Sequence, residues 1–332
     1  MPGVYPLTFV PMLYEKVWGG RALADLGKEL PSPTARYGES WELADMASTS
    51  PSGAGGGSAR SVIASGAMAG RTLSEVIRVW GGDLMGDVQL TPSGDFPLLV
   101  KFLDARENLS VQTHPSPDFA RRHPDAHLKT ECWYILDCDP GAVIYKGIKF
   151  GVTKEHFEAH IEDGSVAEDL IAIAAVPGTC HTLPSGTCHA LGGGVVVAEV
   201  QTASDTTFRI FDWGRKNRQL HVTEALKNVE FGPAPRGTRL LPDQSAARLS
   251  TTEFFHIDEV RLRVDETYTV GYGRGCVVLI VLDGAGALIA GDACYEPTGL
   301  VRGQVVLVPA RGSEVTEVIA AGDLRLLRVG LL

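Results

Sequence analysis

One strand-and-turn unit occurs twice in this chain, and the repetition constrains the fold more than any other feature. Tyr134-Ile-Leu-Asp137 precedes Gly141-Ala142, and Leu279-Ile-Val-Leu-Asp283 precedes Gly284-Ala285. Downstream of each copy a glycine and a proline enclose five residues, Gly178 with Pro184 and Gly303 with Pro309. Asp137 and Pro184 lie 47 positions apart but Asp283 and Pro309 only 26, so the first copy carries 21 extra residues. Helices predicted over 153–162 and 165–173, the second with a capping spacing from Ser165 to Glu168, account for that excess. The chain therefore reads as two related units, the first decorated.

Strands dominate both units. The pattern predicts them over 98–103, 109–114, 131–137, 142–146, 195–201, 206–213, 276–282, 287–290, 304–308 and 324–329. Gly, Pro, Asn or Asp punctuates nearly every junction, and the chain holds 38 Gly and 19 Pro to do so. Many short strands without βα alternation argue for an all-β fold of sandwiches or barrels. Thr72-Leu-Ser-Glu75 is a capping box opening a helix through Trp80 that stops at Gly81-Gly82. Residues 48–71, rich in Ser, Gly and Ala, read as a flexible surface loop. Their Gly55-Gly56-Gly57 run lacks the flanking strand and the Lys-Ser or Lys-Thr that a phosphate cradle needs. Prolines 233, 235 and 242 mark a connection, which divides the chain into 1–235, a linker at 236–250 and a second domain at 251–332.

Composition narrows the function. Forty acidic against 30 basic residues give a formal charge of −10, which disfavours nucleic acid as a partner. No basic segment followed by an apolar run opens the chain, and no stretch reaches the length of a membrane span, so a cytoplasmic protein without a membrane partner is expected. The six cysteines include no C-x-x-C pair and read as reduced thiols filling apolar space.

Residues two apart on a strand share a face. Ser110, Gln112 and His114 therefore align in Leu109-Ser-Val-Gln-Thr-His114, as do Lys129 and Glu131. His189 follows the Pro184-Ser-Gly186 turn, and the Gly178…Pro184-x-Gly186-x-x-His189 spacing resembles the second metal motif of cupin barrels. Two imidazoles, a carboxylate and an amide oxygen make a mixed site suited to Zn²⁺, with Mn²⁺ or Fe²⁺ also accommodated. Other histidines read differently. His156 and His160 are spaced i, i+4, but Phe157 stands where a zinc-protease helix needs Glu, so they are expected on a solvated helix face. Cys188 should point away from His189 into the core. Asp205 and Arg209, four apart on an extended segment, share a face.

Residues 7–230 resemble the type I mannose-6-phosphate isomerases, in their short bacterial form. The resemblance rests on Tyr14-Glu-Lys-Val-Trp-Gly-Gly-Arg21, Tyr37-Gly-Glu-Ser-Trp-Glu42, Pro97-Leu-Leu-Val-Lys-Phe-Leu-Asp104, Leu109-Ser-Val-Gln-Thr-His-Pro115, Lys129-Thr-Glu-Cys-Trp-Tyr134, Pro184-Ser-Gly-Thr-Cys-His-Ala190 and Ser204-Asp-Thr-Thr-Phe-Arg-Ile-Phe-Asp-Trp213. It implies two cupin-like jelly rolls and a zinc-dependent interconversion of mannose 6-phosphate and fructose 6-phosphate through an enediol. It further implies one zinc per chain held by Gln112, His114, Glu131 and His189, with Lys129, Asp205 and Arg209 at the reacting sugar and Ser110 beside Lys129 in substrate binding. The chain departs from the family at Phe208 and Phe211, where Tyr is common, at Cys180-His181-Thr182, and at Glu224, where a basic residue is common. An oxygenase-type cupin would prefer three histidines with an H-x-H pair, against Gln112-x-His114 here. A non-catalytic sugar-binding or regulatory cupin would need neither Lys129 nor Arg209.

Registering the second unit on the first puts Val277 at the place of Glu131 and Glu314 at that of His189. That barrel is therefore expected to be metal-free, filled by Val277, Leu279, Val281, Val305, Leu307, Leu326 and Leu327, with His256 at the surface.

Overall fold

Period-two burial on both faces of the central strands sets the architecture. In Leu98–Ala105 every residue is buried. Leu98, Val100 and Phe102 enter one core while Leu103 and Ala105 enter another. A strand covered on both sides is the middle of a layered stack. The computed structural model describes residues 3–50, 54–123, 126–271, 273–290 and 296–332. Its strands form two sandwiches packed back to back.

The first sandwich pairs a seven-stranded sheet with a five-stranded one. The large sheet runs Thr238–Arg239, Thr179–Leu183, Glu131–Cys138, Val195–Thr202, Leu98–Ala105, Tyr37–Leu43, Met12–Gly20. Opposite it lie Leu170–Ala174, Val143–Ile148, His189–Leu191, Val111–Thr113 and Phe208–Phe211. The second sandwich has a seven-stranded sheet centred on Leu324–Leu331 and Val277–Asp283, and a four-stranded sheet around Thr316–Ala320 and Ala285–Ala290. The two large sheets face each other, so Phe102, Tyr134 and Val200 from one meet Ile257, Val278, Leu307 and Val329 from the other in the largest core. All of this fits the two jelly rolls that the repeat implies.

Some expectations need correction. The 165–173 segment is a single 3₁₀ turn, Val166–Asp169, followed by the strand Leu170–Ala174. Ser165 makes no side-chain cap, and Leu170, Ala172 and Ile173 pair with Ile148, Tyr145 and Ile144 instead. The other two helices form as read, Leu73–Trp80 with its capping box and Lys154–Asp163 behind the Thr153 cap. Residues 48–71 are not simply a loop. They contribute Ala59–Arg60, Val62–Ile63 and a 3₁₀ turn at Gly66–Met68, because Ala59, Ile63 and Met68 are buried. Within 236–250, Thr238–Arg239 pairs with Thr179 and Cys180, and Ala246–Thr251 is an edge strand of the second large sheet. At the other end of the chain, Leu7–Val10 pairs with Val305–Val308, so the first strand belongs to the sheet of the second barrel.

Inside the second barrel, Val277, Leu279, Val281 and Leu326 face the interior together with Val306 and Val308. Val305, Leu307 and Leu327 face the core between the barrels, one register step away from the expected side. His256 is not at the surface. It is buried opposite Gly330, where a Cβ would stand 2.3 Å from the imidazole, so a glycine is required for the ring to fit. Burial and the Arg248 charge push its pKa down to about 4, against the pull of Asp258. Five described cysteines are free, and Cys294 lies outside the described residues. Among the described residues no helix is long and apolar enough to cross a membrane.

Candidate metal centre and its cleft

Strand register builds the site from two facing rows. On the five-stranded sheet Lys146 pairs with His189, His189 with Gln112, and Gln112 with Arg209. Directly paired residues project to the same side of a sheet, so these four side chains form a line across the barrel interior. On the large sheet Trp41 pairs with Lys101, Lys101 with Glu199, and Glu199 with Trp133, while Glu131 pairs with Gln201. The alternation that sends Cys132 and Tyr134 into the inter-barrel core turns Glu131 and Trp133 inward.

His114, Glu131 and His189 meet where the rows close. All three are buried, and their ligand atoms lie within 4.8 Å of one another. His189 Nε2 is 3.2 Å from Glu131 Oε1, and His114 Nε2 is 3.5 Å from Glu131 Oε2. Each imidazole directs Nδ1 at a backbone carbonyl 2.9 Å away, His114 at Thr206 and His189 at Thr187. A carbonyl only accepts, so Nδ1 carries the proton and Nε2 presents its lone pair to the cluster. Burial, and then the Lys129 charge, pull His114 down to about 3, and burial lowers His189 as well, which keeps both rings neutral. Glu131 stays ionised. Burial opposes its charge, but the Lys129 ammonium beside it leads the influences that outweigh this. Its Oε1 accepts no hydrogen bond from any described residue. Two lone pairs and an orphaned carboxylate oxygen converging in a dry interior are a donor set that fits a divalent cation.

Gln112 completes the cluster, its amide Nε2 3.3 Å from His189 Nε2 while Ser110 Oγ donates to its Oε1 at 3.3 Å. Lys129 Nζ donates to Glu131 Oε2 at 2.5 Å and lies 3.1 Å from His114 Nε2. The sequence-derived metal set is thus one cluster, with Ser110 and Lys129 against it. Arg209 and Asp205 reach the same cleft by different routes. Arg209 Nη1 donates to the Gln219 carbonyl at 2.7 Å, and its Nε has no partner among the described residues. Asp205 does not serve Arg209. Its two oxygens accept the backbone N–H of Ser50 at 2.7 Å and of Ala54 at 2.8 Å, tying the 48–71 segment to the cleft wall. Cys188 packs away from the site with Phe157 and Ile210, where burial pushes its thiol up.

The cleft, of about 560 Å³, is also lined by Lys16, Trp18, Glu39, Trp41, Lys101 and Glu199, and by Arg218, Gln219 and His221. Sequence reasoning did not assign these. Lys101 Nζ is 3.3 Å from Glu199 and 3.9 Å from Glu39, and Lys16 is 3.0 Å from Glu39. Trp41 and Trp133 donate their indole N–H groups to Glu39 at 2.6 Å and Glu199 at 2.9 Å. Burial alone would raise Glu39, but Lys16, Lys101 and the Trp41 bond hold it at about 2. A charged residue inside an apolar strand, such as Lys101 in Leu-Leu-Val-Lys-Phe-Leu, was the available signal.

A buried two-histidine, one-carboxylate cluster inside the first of two stacked jelly rolls defines a metal-binding enzyme of the cupin class. The comparisons carry this further. The family model of the type I phosphomannose isomerase catalytic domain matches residues 7–141. Mannose-6-phosphate isomerase ManA of Bacillus subtilis is 35% identical over 92% of this chain and 93% of its own. The crystal structure of the Bacillus subtilis mannose 6-phosphate isomerase superposes with a TM-score of 0.82 at 28% identity, covering 98% of this chain and 100% of that one. A mannose 6-phosphate isomerase bound with zinc and yttrium shares the fold, with a TM-score of 0.73, 17% identity, and coverage of 99% and 100%. The chain belongs to the type I phosphomannose isomerases.

Proposed function

We propose that the chain interconverts mannose 6-phosphate and fructose 6-phosphate, with one catalytic zinc held by Gln112, His114, Glu131 and His189. The observation that carries this reading is the convergence of two Nε2 lone pairs and an orphaned Glu131 oxygen directly behind Gln112 and Lys129, which line the cleft together with Arg209. Rotating the Gln112 amide about its last bond exchanges its nitrogen for an oxygen and supplies the fourth donor. A similarly folded mannose 6-phosphate isomerase is bound with zinc and yttrium, and a zinc held here would supply Lewis-acid stabilisation of the negative charge that develops on the sugar oxygens.

The remaining chemistry is a proton leaving C2 and returning at C1 through an enediol. Lys129, already hydrogen-bonded to Glu131, holds a proton beside the reacting oxygens. Arg209, whose Nε is buried without a partner among the described residues, has a donor to spare for an oxyanion and stays protonated throughout. Ser110 holds the Gln112 amide and offers its hydroxyl to the sugar. Lys16 and Arg218 bring positive charge to the cleft for the phosphate, with His221, whose pKa burial lowers, beside them; Glu224, exposed on the short helix Val222–Ala225, does not fill that role. Asp205 acts by fixing the loop wall. The free cysteines suit a cytoplasmic setting.

The test is a coupled assay with mannose 6-phosphate beside glucose and other phosphosugars, run with and without chelator. Turnover of mannose 6-phosphate that chelation abolishes is expected. Binding without turnover would return the chain to the sugar-binding class of cupins.

A further inference from the structure

A second cluster of metal-ligand type lies outside the cleft, on the segment that enlarges the first barrel. The helix Lys154–Asp163 places His156 and His160 one turn apart on one face, with their rings 4.0 Å apart. The Val166–Asp169 turn folds back so that Asp169 reaches both. His156 Nε2 is 3.2 Å from Asp169 Oδ1, and His160 Nδ1 is 3.1 Å from each carboxylate oxygen. Phe157, which takes the place of a protease glutamate, is buried in the barrel wall and fixes the helix so that the histidines stay in this position. The pair is therefore not a plain solvated helix face.

Two features separate this from a surface ion pair. Asp169 is only 4% exposed, with its backbone carbonyl held by the Lys149 N–H, and its Oδ2 has no hydrogen-bond partner among the described residues. A buried carboxylate that spreads its two oxygens over two imidazoles, Oδ1 beside both and the unsatisfied Oδ2 beside His160, is costly unless a cation joins them. The three ligand atoms lie within 4.8 Å of one another, a spread that an ion with bonds of roughly 2.0–2.2 Å can draw together. His156 is half exposed, so water has access to the remaining coordination positions.

We propose that His156, His160 and Asp169 form a second, weaker site for a borderline-soft divalent transition ion such as Zn²⁺, clipping the inserted helix onto the turn beneath it. Two imidazoles and one carboxylate suit this class of ion and disfavour Mg²⁺ or Ca²⁺, which prefer oxygen ligands. The site is independent of the reaction assigned to the cleft.

The experiment is equilibrium dialysis of the full-length zinc-loaded protein against buffered free Zn²⁺ up to about 100 µM, with metal counted per chain. Wild type should reach two equivalents, the second released first as free zinc is lowered. His156→Ala, His160→Gln and the near-isosteric Asp169→Asn should each stop at one while keeping isomerase turnover, which certifies that they are folded. With Co²⁺ as the second ion, its visible d–d bands should vanish in His156→Ala. A wild type that stays at one equivalent, or variants that still take up the second, would overturn the proposal and leave a histidine–aspartate ion pair.

Discussion

Gln112 and His189 stand at the same register on neighbouring antiparallel strands, and the amide nitrogen of one lies 3.3 Å from the Nε2 of the other. This pairing sets two of the four proposed ligands side by side, with Arg209 next along the row, and Glu131 approaches His189 from the opposite sheet. Removing a ligand from so small a set should empty it. His189→Ala is expected to lose its catalytic zinc and its turnover, and metal analysis showing full occupancy of that site would reject the assignment.

Arg209→Ala and Lys129→Ala should retain zinc and lower kcat by about 10²–10³, with a much smaller change in KM. Steady-state kinetics on metal-analysed protein decides this. An effect confined to KM would make either residue a ground-state binder.

The phosphate assignment predicts the opposite split. Arg218→Ala should raise KM for mannose 6-phosphate by about tenfold or more with kcat nearly kept, since a charge-assisted bond to a non-reacting group contributes equally before and during reaction. Unchanged KM would move the phosphate elsewhere in the cleft.

Glu39 couples the cleft to pH. Its folded-state pKa of about 2 lies below the unfolded value, so the stability it contributes is complete above about pH 4.5 and is lost as pH falls toward 2. Denaturant midpoints measured from pH 2 to 6 should show an acid limb that Glu39→Gln flattens by roughly 2–3 kcal/mol. The same limb in both proteins would contradict the pairing with Lys16 and Lys101.

Lys146 extends the ligand row one strand beyond His189, buried, with Nζ lacking a hydrogen-bond partner among the described residues. Burial pulls its pKa down to about 8, against the pull of Cys132 and Cys180. A lowered lysine costs stability in full below pH 8, and the cost disappears as pH rises toward the unfolded value. Lys146→Met should therefore raise stability at pH 7 by about 1–3 kcal/mol, an effect that shrinks above pH 9 in thermal melts.

Much of the metal cluster was legible because its information is local. Ser110, Gln112 and His114 alternate within one strand, and Lys129 and Glu131 do so in the next, so a period of two places each set on one face. What stayed hidden depends on partners distant in sequence. Lys101 reads as an anomaly in an apolar run until its partner Glu199, almost a hundred positions away, is known. Asp205 and Arg209 do share the cleft, but the loop that claims Asp205 comes from the other end of the domain. Capping signals at Ser165 suggested a helix that the pairing of Leu170 with Ile148 and of Ile173 with Ile144 overruled, since a strand ladder along a sheet edge stabilises the segment where no cap forms. His256 was misplaced because the space it fills is set by Gly330, 74 positions later.

The docking of Leu7–Val10 onto Val305–Val308 has a consequence for how the protein is made. Leu7–Val10 meets Val62–Ile63 along one edge but waits for a strand far later in the chain along the other, so the sheet they share closes only after Val305–Val308 has been made. Contacts this distant make for slow assembly and leave an unpaired edge open in the meantime. A chain cut after residue 235 would keep every proposed zinc ligand and the pairing of Leu7–Val10 with Val62–Ile63, yet lose its Val305–Val308 partner and uncover the inter-barrel face of its large sheet. The second barrel thus gathers Leu7–Val10 and Leu324–Leu331 into one sheet and lays that sheet against the back of the first barrel.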